Sequence, residues 1–204
     1  MTIFLILAPY GAFATLMLVT SAAVSLFASA AICLMVLVYD ILRGRSIKML
    51  GAGSVILFAA LGSYIILIDS NWSTSAVKLT VDAGVFAISL MSLAIRQPFT
   101  LQYAREMVDT ETAKLPGFMK SNYIITWAWT AAFLLMMMAN VLMIYVPGLP
   151  LWSGLAIAFA ARNTAVYFTK WYPKHRREKL AKRALPVCGG VGLLKLNSLD
   201  RERR

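Results

Sequence analysis

Apolar blocks of roughly 20 residues follow one another along this chain, and they constrain its fold more than any other feature. An α-helix rises about 1.5 Å per residue, so about 20 residues cross the roughly 30 Å hydrocarbon core of a bilayer. A soluble helix of this length would carry a polar face. The stretch from Ile124 to Val146 has no such face. The pattern therefore predicts an all-α integral membrane protein.

The composition agrees with this prediction. Hydrophobic residues make up 60% of the 204 residues and charged residues 14%, whereas a soluble domain carries about 25% charged residues. The net charge is +11, but the Lys and Arg residues lie beside the apolar blocks, where they act as topology signals. We therefore expect the lipid bilayer as a partner and no nucleic acid.

The blocks predict a bundle of about six transmembrane helices, arranged as three hairpins. The predicted spans are about 3–19, 23–42, 49–68, 75–95, 122–146 and 149–169. The first two form one long apolar stretch that needs a tight turn near 20–23, and a re-entrant first segment is the alternative. We interpret the first block as a retained helix and not a cleaved signal, because no basic residues precede it. Residues 1–170 would form the bundle and 171–204 a basic cytoplasmic tail.

Basic residues are confined to alternate connections between these blocks. Lys and Arg occur in 43–48, in 96–121 and after 169, and they are missing from the connections around 20–23, 69–75 and 147–149. Lys and Arg favour the cytoplasmic side of a membrane. The alternation therefore predicts six spans with the N and C termini both in the cytoplasm.

The longest internal connection, 97–121, carries a helical pattern of its own. Phe99, Tyr103 and Met107 recur at intervals of four residues, which predicts a short interfacial helix on the membrane surface. A short helix packed on the end of the bundle is the alternative. The Leu-Pro-Gly sequence at 115–117 is expected to end this helix.

Three ionisable residues fall inside the predicted spans, namely Lys78, Asp82 and Arg162. Charge inside a bilayer is costly, so each is a functional hypothesis by default. In a functional interpretation Asp82 takes a proton or coordinates a cation, and Arg162 holds an anionic group. In a structural interpretation Lys78 and Asp82, which share a helix face at a spacing of four, neutralise each other. Arg162 then reaches the cytoplasmic interface or pairs with Asp40.

Other polar and small residues inside the spans predict contacts between helices. Asn140 and Asn163 complete the candidate polar site, and their expected structural role is hydrogen bonding between helices. Small residues at helical spacing allow close approach of two backbones. They form two stripes, Ala83 and Ala87 in the fourth span and Gly154, Ala158 and Ala161 in the sixth.

The end of the chain is strongly basic, which predicts contacts with anionic lipids at the cytoplasmic face, or simply an anchor that fixes the topology. The candidate lipid contacts are Lys170, Lys174, Arg176, Arg177, Lys179, Lys182 and Arg183.

Residue patterns that carry catalysis or metal binding are missing from the sequence. No two acidic residues within the spans lie close together, and His175 is the single histidine, so a metal-binding cluster is not expected. There is also no glycine loop of the phosphate-binding type. Cys33 and Cys188 are predicted to be free thiols. We expect no catalytic residues, no cofactor and no metal, and hence no enzyme.

The order of segments over about residues 8–170 resembles the intracellular septation protein A family of bacterial inner-membrane proteins. The Arg-Gly-Arg-Ser-Ile-Lys sequence at 43–48 is similar to that family's basic link between the second and third blocks. The Lys-Leu-Thr-Val sequence at 78–81 and the Arg-Gln-Pro-Phe sequence at 96–99 are similar to two further family segments. Trp129 and Asn140 match a tryptophan and an asparagine of its fifth span.

The sequence also departs from that family's pattern. Leu79 stands where the family tends to have proline, and Asp82 stands where the family is apolar, so a role for Asp82 would not be a family property. The resemblance implies a multi-pass inner-membrane protein linked to septation and envelope maintenance, with no catalytic residues to carry over.

Three functional hypotheses follow, and a membrane enzyme ranks fourth behind them. The first is a non-catalytic protein of the bacterial inner membrane that acts through helix contacts with other envelope or division proteins, or through self-association. The second is a small transporter or channel that uses Asp82, Lys78 and Arg162. The third is an accessory subunit of a larger membrane complex.

Overall fold

The computed structural model describes residues 2–68, 71–146, 148 and 151–201, with the side chains of 2–7, 151, 155 and 180–201 outside that description. Within these ranges the regular elements are α-helices, and no strand occurs. The helices are α1 Thr2–Leu16, α2 Ala22–Leu42, α3 Met49–Leu67, α4 Thr74–Ala94, α5 Phe99–Arg105, α6 Thr110–Lys114, α7 Pro116–Tyr145 and α8 Leu151–Arg201.

Four helices, α2, α3, α4 and α7, are long and apolar enough to cross a membrane. The all-α membrane bundle predicted from the sequence is therefore present in this coarser form. The predicted first and sixth spans, within α1 and α8, are not among the four. Helix α1 has 15 residues, which at about 1.5 Å per residue reach about 22 Å, less than the hydrocarbon thickness.

Serine residues are the N-caps of two of the spanning helices. The Ser21 side chain accepts a hydrogen bond from the Val24 N–H at the start of α2. Ser73 does the same for the Ala76 N–H at the start of α4. These caps satisfy backbone donors that have no partner within the helix, so the short polar sequences between the apolar blocks set the helix starts.

The 97–121 connection differs from the single interfacial helix predicted for it. It forms two short helices, and α5 packs on α4 and α7 while α6 packs on α7. Phe99 is buried against Phe133 of α7, whereas Met107 is largely exposed beyond the end of α5. The three residues of the predicted apolar face therefore do not lie on one helix. Phe99 and Leu101 are buried at the end of the bundle, and α5 ends at Arg105, before Met107.

Pro116 begins a helix where the sequence predicted an end. It lies in the first turn of α7, where proline is tolerated because its missing N–H would have no helical partner. The fifth predicted span, 122–146, is therefore extended by six residues at its start, and α7 contains 30 residues.

Close contacts between helices form where glycine faces a bulky side chain. Helix α3 packs on α2 and α4, and α4 packs on α7. A methyl group at Gly62 would lie 3.1 Å from the Phe27 ring of α2, and one at Gly53 would lie 2.9 Å from Ile88 of α4. Helix α3 therefore uses glycines on two faces to approach both neighbours.

Hydroxyl pairs join the helices inside the bundle. Ser89 of α4 bonds Thr130 of α7 at 2.6 Å between the oxygens. Thr100 of α5 bonds Thr126 of α7, also at 2.6 Å. Tyr10 of α1 bonds Ser54 of α3. Since no water competes in hydrocarbon, such bonds hold helices together and fix their register.

The chain divides into two compact units, residues 1–165 and 166–204. Helix α8 continues without a break past the boundary that the sequence placed at residue 170. Of the predicted lipid contacts, Lys170, Lys174, Arg177 and Lys179 are exposed and Arg176 is half-buried, while the Lys182 and Arg183 side chains lie outside the description.

Two helices end in the same turn, with a residue of left-handed backbone after the last helical residues. At the end of α2 this residue is Gly44, with φ of 68°, and at the end of α4 it is Arg96, with φ of 57°. In both turns the next residue donates its N–H back into the helix, Arg45 to Asp40 and Gln97 to Ser92. This is the hydrogen-bond pattern of the Schellman motif, which favours glycine.

We expect opposite changes in stability when Gly44 is replaced by alanine and when Arg96 is replaced by glycine. Gly44→Ala should destabilise the protein by about 1 kcal/mol, because a left-handed backbone strains a residue with a Cβ atom. Arg96→Gly should stabilise it by less than about 1 kcal/mol, because it removes that strain but adds freedom to the unfolded chain. Thermal unfolding in detergent micelles measures both, and shifts of the same sign would contradict the account.

Candidate functional site

Lys48 is the most deeply buried cation that the described side chains include. It is the N-cap residue of α3 and is only 3% exposed. Its Nζ atom lies 2.6 Å from Asp40 Oδ2 and 3.1 Å from Glu106 Oε2. The ammonium is therefore compensated by two carboxylates from two other helices.

Arg45 completes this group of charges. Its Nη1 atom lies 3.1 Å from Asp40 Oδ1, and its Nε atom lies 3.9 Å from Glu106 Oε2. Asp40, Arg45, Lys48 and Glu106 together form what we call the ion cluster. Two cations and two carboxylates make it neutral overall, as burial of charge requires.

The ion cluster also offsets two unfavourable helix-end charges. Asp40 lies in the last turn of α2 and Lys48 at the start of α3, so each opposes the dipole of its own helix. Pairing the two with each other removes much of this cost. The end of α5 contributes further bonds, since Gln102 Oε1 accepts the Met49 N–H at 2.7 Å and thereby caps α3.

A cavity of about 530 Å³ lies beside the ion cluster. Its walls come from α1, α2, α3 and α5 and are mostly apolar. Its polar lining groups include Tyr10, Ser54 and Tyr103, and Cys33 contributes a thiol. Burial raises the pKa of the Tyr103 phenol, so this hydroxyl keeps its proton and can act as a donor.

The intramembrane polar site predicted from the sequence is brought together in part. Asn140 Nδ2 of α7 donates to Asp82 Oδ2 of α4 at 2.7 Å, so the interhelical hydrogen bond expected of Asn140 is present. The charges of Lys78 and Arg162 act on Asp82 electrostatically. Among the ion pairs within the described ranges, however, none includes Asp82.

Asp40 and Asn163 have partners other than those expected from the sequence. Asp40 pairs with Arg45 and Lys48, and not with Arg162. Asn163 is exposed, and its Nδ2 atom donates to the Phe159 carbonyl of its own helix at 2.7 Å. A polar side chain at an exposed position reaches its own backbone when no neighbouring helix faces it.

The predicted small-residue stripe of the sixth span faces inward. Ala161 is buried, and a methyl group at Gly154 would collide with Met143 of α7. This stripe is therefore used for packing within the chain. On α4, the close approach is made by Gly84, between the predicted Ala83 and Ala87, where a methyl group would collide with Leu57 of α3.

The ion cluster is not predicted from the sequence. Arg45 and Lys48 belong to the basic connection 43–48, where positive charge is already explained by the preference of Lys and Arg for the cytoplasmic side. The signal was Asp40, an acid eight residues before Lys48 at the end of an apolar span. The second carboxylate, Glu106, is distant in sequence, and only the docking of α5 brings it to Lys48.

Within the described part of the chain no group of three His, Cys, Asp or Glu residues could hold a metal ion. No family model, no curated protein and no solved structure matches this chain.

We expect the effect of breaking the ion cluster to follow burial. Lys48→Met leaves Asp40 and Glu106 with only the partly exposed Arg45 as a counter-charge and should cost about 2–4 kcal/mol of unfolding free energy. Arg45→Met should cost less than about 1 kcal/mol, because Arg45 is 43% exposed. Unfolding in detergent micelles measures both.

A triple variant separates lost pairing from lost packing. Combining Asp40→Asn, Lys48→Met and Glu106→Gln removes all three charges and should recover much of the stability lost in Lys48→Met. Stability that stays as low as in the single variant would contradict the electrostatic explanation.

Proposed function

We propose that this chain is a non-catalytic, multi-pass protein of the bacterial inner membrane that acts through helix contacts with other envelope or division proteins. The observation that carries the proposal is the outer face of α8. Ala156, Ala160 and Thr164 follow one another at intervals of four residues, and all are exposed. Asn163 lies beside them and is exposed as well.

This face has the chemistry that joins helices inside a bilayer. Small side chains let two backbones approach closely, and polar side chains then hydrogen-bond across the contact. Asn163 has one N–H donor committed to Phe159 of its own helix. Its second donor and its side-chain oxygen can serve a neighbouring helix. An exposed asparagine in an apolar helix is costly when it faces lipid, and a partner helix would remove this cost.

The proposed topology has six spans with both termini in the cytoplasm, and it includes α1 and the first part of α8. It is supported by the basic residues of alternate connections, which favour the cytoplasmic side. In this topology the basic part of α8 lies at the cytoplasmic face, where Lys170, Lys174 and Arg177 attract anionic lipids. The resemblance to the intracellular septation protein A family supports the same location and a role in septation.

A small transporter or channel is the second candidate function. The specific observation in its favour is the Asp82–Asn140 hydrogen bond at membrane depth, with the charge of Arg162 acting on both Asp82 and Tyr10. The cavity beside the ion cluster is lined by none of Lys78, Asp82 and Arg162. For this reason we rank the transporter below the protein that acts through helix contacts. An accessory subunit of a larger membrane complex would use the same α8 face, and stoichiometric co-purification would reveal it.

Cysteine crosslinking in native membranes tests the α8 face. In a full-length chain with Cys33→Ala and Cys188→Ser, we expect Ala160→Cys to be joined by a bifunctional maleimide to another protein or to a second copy. Ala161→Cys is the matched control, because Ala161 is the next residue along the helix and is buried. Monomer alone for Ala160→Cys, or equal crosslinking at both positions, would contradict the proposal.

Flux measurements test the second candidate. If the chain conducts protons or monovalent cations, Asp82→Asn should lower flux into proteoliposomes by about tenfold or more, because the ion loses its charged ligand. Asp109→Asn is the control, since Asp109 caps α6 outside the spanning helices. Wild-type flux no higher than that of empty liposomes would eliminate this candidate.

A further inference from the structure

The cavity beside the ion cluster has a length and a polarity gradient of its own. Cys33 and Asp40 both line it and are seven residues apart on α2, which corresponds to about 10 Å along the helix. The charged residues lie at one end. Toward Cys33 the walls are formed by apolar side chains such as Leu37 and Leu50. The space is therefore charged at one end and mostly apolar toward Cys33, where the Tyr10 and Ser54 hydroxyls are hydrogen-bonded to each other.

The charged end of the cavity offers a guanidinium with free donors. The ionised groups in its lining are Asp40, Arg45 and Lys48, and Glu106, outside the lining, brings the ion cluster to neutrality. The Lys48 ammonium is engaged by Asp40 and Glu106. Arg45 is more available, because its guanidinium has five N–H donors and makes one hydrogen bond to Asp40. A planar guanidinium is well suited to phosphate.

Two residues of the cavity lining lie at the surface, one on α2 and one in the connection after it. Met35 and Ile47 belong to its lining and are 63% and 64% exposed. An apolar chain could therefore enter from the side, between segments that reach into the bilayer, without first passing through water. The volume of about 530 Å³ lies within the range of roughly 300–1,000 Å³ of pockets that hold small molecules.

From this geometry we propose that the cavity binds an anionic phospholipid of the surrounding bilayer. One acyl chain lies along the apolar depth toward Cys33 and Ser54, and the phosphate lies at the guanidinium of Arg45. The hydroxyl of Tyr103, in the cavity wall, donates to the lipid headgroup or its ester oxygens. This lipid site is separate from the α8 face, so it does not depend on the proposed function.

Gly51 offers a way to fill the cavity without changing its charges. It belongs to the lining, and a methyl group there would be 3.9 Å from Leu37, an ordinary van der Waals contact. Gly51→Leu therefore places its side chain in the space assigned to the acyl chain. Gly11→Leu is the matched control, because Gly11 does not line the cavity and a methyl group there meets no atom within 4 Å.

Lipid retention measured by native mass spectrometry tests the proposal. The full-length protein is reconstituted in vesicles of equal parts phosphatidylglycerol and phosphatidylcholine, extracted in mild detergent and ionised. We expect about one retained lipid per chain, with phosphatidylglycerol preferred at least fivefold. Gly51→Leu should lower retention at least fivefold, whereas Gly11→Leu should retain lipid as the wild type does.

The headgroup contact is tested separately. Arg45→Gln should retain lipid but lose the preference for phosphatidylglycerol. Arg43→Gln is its control, because Arg43 stacks on the Tyr39 ring and does not line the cavity, and it should keep the preference. Equal retention of both lipids by the wild type would overturn the proposal, as would undiminished retention by Gly51→Leu.

Cys33 reports on the cavity independently of retention. In a Cys188→Ser chain, removal of bound lipid should raise the rate of Cys33 alkylation by a small maleimide about fivefold or more, and added phosphatidylglycerol should lower it again. Because this comparison uses a single chain, it does not depend on how well the cavity-filling variant folds. A rate that is unchanged by lipid would contradict occupancy of the cavity.

Discussion

The ammonium of Lys48 determines the arrangement of three helices. An unpaired charge at this depth would be strongly destabilising, because burial removes its hydration. The chain compensates it with Asp40 from the end of α2 and Glu106 from the end of α5. Two connections that are distant in sequence are thereby joined, and α5 is held against the end of the bundle. The Gln102 bond to the start of α3 acts in the same direction.

Polar side-chain pairs also join α4 and α7 in the interior of the bundle. Ser89 and Thr130 connect α4 to α7, and Asp82 and Asn140 connect the same two helices. All described side-chain nitrogen and oxygen atoms that are fully buried have a hydrogen-bond partner. In hydrocarbon the attraction between apolar surfaces does not determine how two helices are aligned along their axes, since lipid is as apolar as a leucine side chain. The hydrogen-bonded side-chain pairs determine this alignment.

Two faces of the chain differ in chemistry. The outer face of α8 presents Ala160 and Asn163, which suit a helix partner, whereas the cavity between α1, α2, α3 and α5 suits a lipid. The charged end of the cavity is the ion cluster itself. A bound phospholipid would therefore contact the same arginine that pairs with Asp40, and the lipid site would be linked to the docking of α5.

The helical class, the apolar segments and most of their limits follow from the sequence alone, because the length of an apolar run matches the hydrocarbon thickness and flanking charges mark its ends. The sequence also predicts that Asp82 and Asn140 need partners. Only the packed structure shows that these two residues bond each other, that Glu106 reaches Lys48, and that α5 docks on the bundle instead of forming one helix with Met107. The packing also determines which stripe of α8 faces inward. Each of these outcomes depends on contacts between residues far apart in the chain, whereas periodicity and charge describe only one segment at a time.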